Sequence, residues 1–256
     1  MDKAIYYAAN KANFILNKQE INSNNITNIS TPGFKEKFIS ILNKKINSNK
    51  NNKINNNIVE IFQPSFNNFP GVLKKTDKIL DIALNKKDFW FSVLNENLKK
   101  TFFTRNGNIS VNKKNELNIL GNPILGDDNK KIIIPKNSNI KILQNGMIQV
   151  IIPNNLSVFN KVIDIGKIKV TYLNRDEIYQ SNFGNLYLKK NIIKKNRIKK
   201  NNYKIFSGTL EDSNVSPTNS MVNMISNARE FEMNMKIISY CNEKEKMANQ
   251  CMIVNN

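Results

Sequence analysis

The sequence predicts an α+β protein in which N- and C-terminal coiled-coil helices form one helical layer, with a central antiparallel, mainly-β domain. Three observations predict it. Apolar residues recur at alternating spacings of three and four near both ends of the 256-residue chain, short apolar-polar alternations fill the middle, and Asn-Gly pairs with other glycines punctuate those alternations.

Near the start, Ile5, Ala8, Ala12, Ile15, Gln19, Asn22, Ile26 and Ile29 keep one stripe on one helical face, with Asp2 placed to cap it. Thr31-Pro32-Gly33-Phe34 then carries turn chemistry and stops the helix. The tract 43–57 follows, with four lysines and no carboxylate. In the middle, Phe89, Phe91 and Val93 alternate with Trp90 and Ser92. Ile148, Val150 and Ile152 alternate with Gln149 and Ile151, and Ile168, Val170 and Tyr172 alternate with Lys167, Lys169 and Thr171. Asn106-Gly107 and Asn145-Gly146 suit tight hairpin turns. A second basic tract, 189–204, brings eight basic residues and none acidic. Ser216-Pro217 then opens a helix, cap residue first and proline in the first helical position. Along it Met224, Ala228, Phe231, Met235, Ile238, Asn242, Glu245, Asn249 and Met252 repeat the heptad alternation. The division that follows is 1–35 and 213–256 for a helical assembly domain, 36–76 and 189–212 for extended connectors, and 77–188 for the β domain. Deleting residues 1–35 is expected to leave that domain folded.

Both stripes hold amides or a carboxylate at seam positions. A buried amide without a partner costs about 1–3 kcal/mol. Such a seam suits several packed helices that pair the polar groups, or an antiparallel pair whose seam is half wet.

A hydrophobic fraction of 40%, with 14 Phe and 7 Tyr, supports packed structure rather than wholesale disorder. The net charge of +19 raises a nucleic-acid-binding alternative. Its two main carriers are Lys-, Asn- and Ile-rich tracts without the interleaved aromatics that single-strand binders stack on bases, so they read as solvated loops. Histidine is absent, which removes the commonest general base and a common metal ligand. Cys241 and Cys251 on one helix stand about 15 Å apart along its axis, beyond disulfide reach, and read as packing residues. No phosphate loop, nucleophile elbow or metal-ligand cluster occurs, and Asp127-Asp128 reads as a solvated turn, so neither an enzyme nor a cofactor is expected. Asn10, Lys11, Asn13, Asn17 and Lys18 interrupt any secretory signal, and no apolar run is long enough to span a bilayer.

Two stretches carry a family resemblance. Ser23 to Lys35, "SNNITNISTPGFK", resembles the N-terminal signature of the flagellar rod and hook proteins: ANNLAN, two variable residues, then a T-x-GF turn. Leu210 to Val215, "LEDSNV", looks like the LE-x-SNV box that opens their C-terminal helix. Leu80 to Leu84, the cluster Phe89 to Phe91, Thr104 to Gly107 and Asn185 to Tyr187 match further landmarks. The opening Met1 to Tyr6, the Thr31 to Phe34 turn and Met221 to Lys236, with Ala228-Arg229 where relatives carry Gln-Arg, resemble the proximal rod branch. Lys86 and Asp88 depart from the pattern, standing where glycines are usual.

The resemblance implies a structural subunit of the basal-body rod, a tubular shaft that crosses the periplasm, transmits torque and encloses the export channel. Subunits would leave through the flagellar type III export apparatus without a cleaved signal. Partners would be other copies, other proximal rod proteins and the distal rod protein, with no nucleic acid and no membrane insertion. It also implies an assembly interface built from Ile5, Ala12, Ile15, Asn22, Asn24, Asn25, Asn28, Thr31, Pro32, Gly33, Phe34, Leu210, Glu211, Ser213, Asn214, Val215, Met224, Ala228, Phe231, Met235 and Ile238. The asparagine amides would hydrogen-bond between chains.

Overall fold

A computed structural model describes residues 2–45, 58–136, 138–152, 161–181, 184–189 and 203–254; the side chains of 2–3, 41–45, 58–61, 152, 161 and 251–254 stand outside the description. Most of the two basic tracts, and the seam position at Met252, therefore lie outside the described residues. The chain is α+β, with a long helix near each end and antiparallel strands between them. It divides into two compact units. Unit 1 holds residues 1–27, 37–65 and 215–256, and unit 2 holds 28–36 and 66–214.

In unit 1, α1 (Asp2–Thr27) and α2 (Pro217–Val254) lie antiparallel: Lys11 Nζ pairs with Glu230 Oε1 at 3.0 Å and Asn22 Nδ2 donates to Ser220 O at 2.7 Å. Ala8, Ala12, Ile15 and Asn22 are buried on α1, at the predicted spacing. On α2 the heptad phase differs from expectation. Ser220, Asn227 and Asn234 are buried and Met224, Phe231 and Ile238 half-buried, whereas Ala228 and Met235 are exposed. Hydrophobicity favours Ala and Met for the inner positions, but Ser220, Asn227 and Asn234 take them, and Asn234 Nδ2 satisfies itself on Glu230 O at 2.7 Å. Ser216 caps α2 as predicted, its Oγ accepting from Asn219 N at 3.4 Å, with Pro217 in the first turn. Two strands, β1 (Lys37–Lys45) and β2 (Ile58–Phe66), pair as a ribbon beside α1, where Phe62 packs its ring 4.3 Å from that of Phe14. Residues expected as a connector are thus partly strand.

Unit 2 adds β3 (Leu73–Lys75), β4 (Ile82–Leu84), β5 (Phe89–Asn95), β6 (Lys100–Thr104), β7 (Ile109–Val111), β8 (Leu117–Ile119), β9 (Asn122–Pro123), β10 (Asn139–Ile142), β11 (Met147–Ile152), β12 (Lys161–Lys167), β13 (Val170–Tyr172), β14 (Ile178–Gln180), β15 (Leu186–Leu188), β16 (Ile205–Ser207) and β17 (Thr209–Glu211). The largest sheet runs β13-β5-β6-β15-β14. Its two faces are both covered. Phe91, Val93 and Phe102 pack on one side with Ile82, Leu117, Ile148 and Ile168, while Trp90 and Phe103 pack on the other with Phe66, Leu173 and Ile178. That is the alternation seen in the sequence, with neither phase left to solvent.

Asn145-Gly146 closes the β10–β11 hairpin, Gly146 N donating to Leu143 O at 2.9 Å. Asn106-Gly107 does not close one. It links β6 to β7, which belong to different sheets, and Gly107 is required there by crowding: a Cβ would sit 1.5 Å from Ile82 O. The β domain also reaches further than 77–188. β16 pairs with β4, β17 pairs with β3, and residues 28–36 belong to the same unit. Deleting residues 1–35 would therefore also remove residues 28–35 of that unit.

Candidate functional site

The quoted motifs meet in unit 2. After α1 ends, Thr31 to Phe34 forms a turn in which Phe34 N donates to Thr31 O at 3.2 Å and Gly33 takes φ +69°. A type II turn requires positive φ at its third residue, which Gly33 supplies, and commonly has proline at the second. The space is equally restrictive, since a Cβ on Gly33 would meet Arg105 C at 2.3 Å. Gly33 N then donates to Glu211 O at 2.6 Å, which ties the N-terminal motif to the C-terminal box through backbone alone.

The side chains tie it again. Glu211 Oε1 accepts from Lys35 Nζ at 2.6 Å and from Gly71 N at 3.1 Å. Its Oε2 accepts from Arg105 Nε at 2.8 Å, and Arg105 Nη2 stands in ion-pair contact with the same oxygen at 2.6 Å. Arg105 also donates to the carbonyls of Lys86, Phe89 and Leu84 at 2.6, 2.8 and 3.2 Å, and its guanidinium carbon lies 5.9 Å from the centre of the Trp90 ring. The three charged side chains are 2%, 0% and 2% exposed for Lys35, Glu211 and Arg105. Asn214 completes the junction: Oδ1 accepts from Glu36 N at 2.7 Å, and Nδ2 donates to Asn67 O at 3.1 Å and Phe69 O at 2.9 Å. One amide thus fastens residues 36, 67 and 69 to 214.

Several candidate interface residues are consequently used inside the chain. Gly33, Phe34, Leu210 and Glu211 are buried in unit 2. Asn25 exchanges two bonds with the Lys37 backbone, at 2.8 and 2.9 Å, and Asn28 Oδ1 accepts from Thr31 Oγ1 at 3.1 Å. Asn25 and Asn28 thus have partners within their own chain. The exposed candidates are Ala228 and Met235 on α2. Lys35 and Arg105 were absent from the candidate set although they sit in quoted motifs; a charge inside a glycine turn with apolar neighbours was the available signal. The departure at Asp88 is also resolved. It adopts φ +68°, the conformation glycine takes freely, and its carboxylate accepts a hydrogen bond from Asn68 Nδ2. At Lys86 the site uses the backbone carbonyl, which any residue supplies.

Burial holds the Lys35 ammonium below its ordinary pKa of 10.5; Glu211 opposes this and the Arg105 charge adds to it. Burial raises the Tyr203 phenol from 10.0 to about 12, with the Asp127 carboxylate adding to the shift. From the lowered Lys35 value up to 10.5 the unfolded chain binds the extra proton, so stability rises with pH in that window. From 10.0 to about 12 the unfolded chain loses the Tyr203 proton first, so stability falls. Denaturant midpoints read from Trp90, the single tryptophan, are expected to climb toward pH 10 and drop beyond it. Lys35→Met flattens the climb and Tyr203→Phe the drop.

Among the described residues no group of side chains could hold a metal ion, no helix is long and apolar enough to cross a membrane, and Asp127 and Asp128 are exposed in a turn. The junction supplies cohesion; its single carboxylate is bound by two cations and offers no free acid or base.

The family described as flagellar basal body rod FlgEFG protein, C-terminal, matches residues 207–250. The chain is 39% identical over its full length to the full flagellar basal-body rod protein FlgF of Buchnera aphidicola subsp. Schizaphis graminum. It is 33% identical to that of Salmonella typhimurium, covering 98% of this chain and 99% of the relative. Similarity extends to the flagellar basal-body rod protein FlgG of Buchnera aphidicola subsp. Acyrthosiphon pisum, 27% identical over 88% of this chain and 91% of the relative.

Proposed function

The chain belongs to the flagellar basal-body rod proteins of the FlgF type, and from that premise we propose that it builds the proximal rod by packing the outward face of α2 against neighbouring subunits. It is a structural subunit of the rod and not an enzyme, and its place is the basal body. Membership also associates it with other rod proteins, FlgF- and FlgG-type alike.

The observation that carries the finer reading is that α2 exposes large apolar residues on the side away from α1. One side meets α1. On the other, Val222, Ile225, Met233, Ile237, Tyr240 and Met247 fall within an arc of roughly 120° at 3.6 residues per turn, each between 49% and 66% exposed. Arg229, Lys236 and Lys244 share that arc, and exposed apolar residues rimmed by polar ones mark an interaction surface. The antiparallel register brings the start of α1 level with about residue 240, so α2 runs on for about 20 Å. The inner seam continues there at Cys241, Glu245 and Ala248 in the same alternation.

In this reading the terminal helices form a coiled helical layer, a tube that transmits torque and encloses the export channel. The exposed Ala228 and Met235 stay in the interface. The copies of this chain, other proximal rod proteins and the distal rod protein stand alongside, in the periplasm, after type III export without a cleaved signal. This replaces the nucleic-acid alternative raised by the charge. Basal bodies purified from cells lacking the gene are expected to show a rod that is missing or cut short, restored by the intact gene; full-length rods in its absence would contradict the assignment.

A further inference from the structure

Residues 203–212 are built into unit 2 along their length. Tyr203 and Ile205 belong to the same buried cluster as Phe89, Phe91, Val93 and Phe102, and the Tyr203 ring lies 5.6 Å from that of Phe89. Backbone bonds hold the rest: Asn85 N donates to Lys204 O at 3.1 Å, Ile205 N to Gln144 O at 2.9 Å, Gly208 N to Asp81 O at 2.8 Å and Asp212 N to Val72 O at 2.8 Å. The β5–β6 core and the C-terminal box therefore stand as one body.

Without the box, the charges in that body have no balance. Lys35 and Arg105 are each 2% exposed, and Glu211, 0% exposed, is the only carboxylate among the described residues within 4.0 Å of either. The cluster thus carries one net positive charge with Glu211 and two without it. Arg105 donates to the carbonyls of Leu84, Lys86 and Phe89 beside Trp90, so packing this side of the β unit buries the guanidinium whether or not the carboxylate is present. Lys35 Nζ is fixed in the same way on Phe69 O, at 2.8 Å. A buried cation left without its partner is strongly destabilising. In the chain that partner comes late, since Glu211 follows Lys35 by 176 positions and Arg105 by 106. Contacts at such separation form only after a large loop has closed.

We propose that the cluster is a charge checkpoint on folding: the Trp90 side of the β unit closes only when residues 203–212 bring Glu211 to Lys35 and Arg105. An apolar trio at these positions would let the earlier segments pack without the box, whereas two cations sharing one distant carboxylate forbid it. The quantity that gates closure is the net buried charge, not the count of hydrogen bonds to Glu211. This inference concerns the single chain and does not rest on the assembly reading.

Hydrogen exchange on the full chain tests it. In the wild type, the amides of residues 205–211 are expected to exchange in step with those of β5 and β6, and during refolding both groups gain protection in one phase. Glu211→Gln keeps the shape of the side chain, raises the buried charge to two and is expected to speed exchange of β5 and β6 by about a hundredfold or more. Adding Lys35→Met returns the charge to one, and the double variant is expected to recover roughly tenfold or more of that loss, although it has fewer hydrogen-bond donors than Glu211→Gln alone. Protection of β5 and β6 ahead of residues 205–211 during refolding would overturn the proposal, as would wild-type exchange of β5 and β6 in Glu211→Gln. A double variant that exchanges as fast as Glu211→Gln, or faster, would overturn it too, because the effect would then lie in hydrogen bonding and not in charge.

Discussion

Glu211→Gln undocks the C-terminal box in native buffer and lowers stability by about 3–5 kcal/mol, the range found when one partner of a buried ion pair is removed. The neutral amide cannot balance either cation, and Lys35 and Arg105 remain walled in with exposures of 2% each. With typical total stabilities of about 5–15 kcal/mol, a loss of this size empties much of the docked state. Trp90 reports it directly, because its ring is 1% exposed and lies beside the Arg105 guanidinium. The expected signal is a red-shifted emission before any denaturant is added, together with a lower unfolding midpoint. Asp77→Asn supplies the contrast. It breaks the Lys75–Asp77 pair, whose side chains are 77% and 75% exposed, and is expected to leave the midpoint within error. Equal small effects from both substitutions would mean that the buried cluster contributes no more than a surface pair.

Met233→Glu combined with Ile237→Glu leaves the isolated chain folded and blocks its entry into basal bodies. Both residues are on the open side of α2, away from the Ser220, Asn227 and Asn234 seam, so neither carboxylate is buried in the monomer. Against a neighbouring helix each carboxylate would lose its water without gaining a partner, which costs several kcal/mol. At 1.4 kcal/mol per tenfold, two such groups reduce incorporation by well over a hundredfold. Unchanged circular dichroism and Trp90 midpoint, with a tagged variant absent from purified basal bodies, is the expected pair of results. Incorporation at the wild-type level would remove α2's outer side from the interface.

What the sequence made legible follows from which physical signals are local. β5 and β11 announce themselves because side chains alternate between faces, and the start of α2 because a serine cap and a following proline act within one turn. At Ala228 and Met235 the spacing in the sequence and the seam that faces α1 diverge. Periodicity gives spacing, but the choice between adjacent columns was made by hydrophobicity, and here burial selected Asn227 and Asn234. The outer strip was invisible for the same reason, since its apolar residues looked like the core. β3, β4, β16 and β17 escaped because three residues carry no period, and their pairing joins segments more than a hundred positions apart. The charge cluster escaped most completely. Lys35, Arg105 and Glu211 lie in three separate motifs, each recognisable by its pattern, yet only the fold brings both cations within 3 Å of the carboxylate.

The most direct measurement of the assembly claim places a photoreactive residue at position 237 in the full chain and irradiates intact basal bodies. The account predicts cross-links from this position to another rod subunit, copy or relative, while the same probe at position 227, inside the α1–α2 seam, links within its own chain. Position 237 yielding no intermolecular product in complete, functional rods would contradict it.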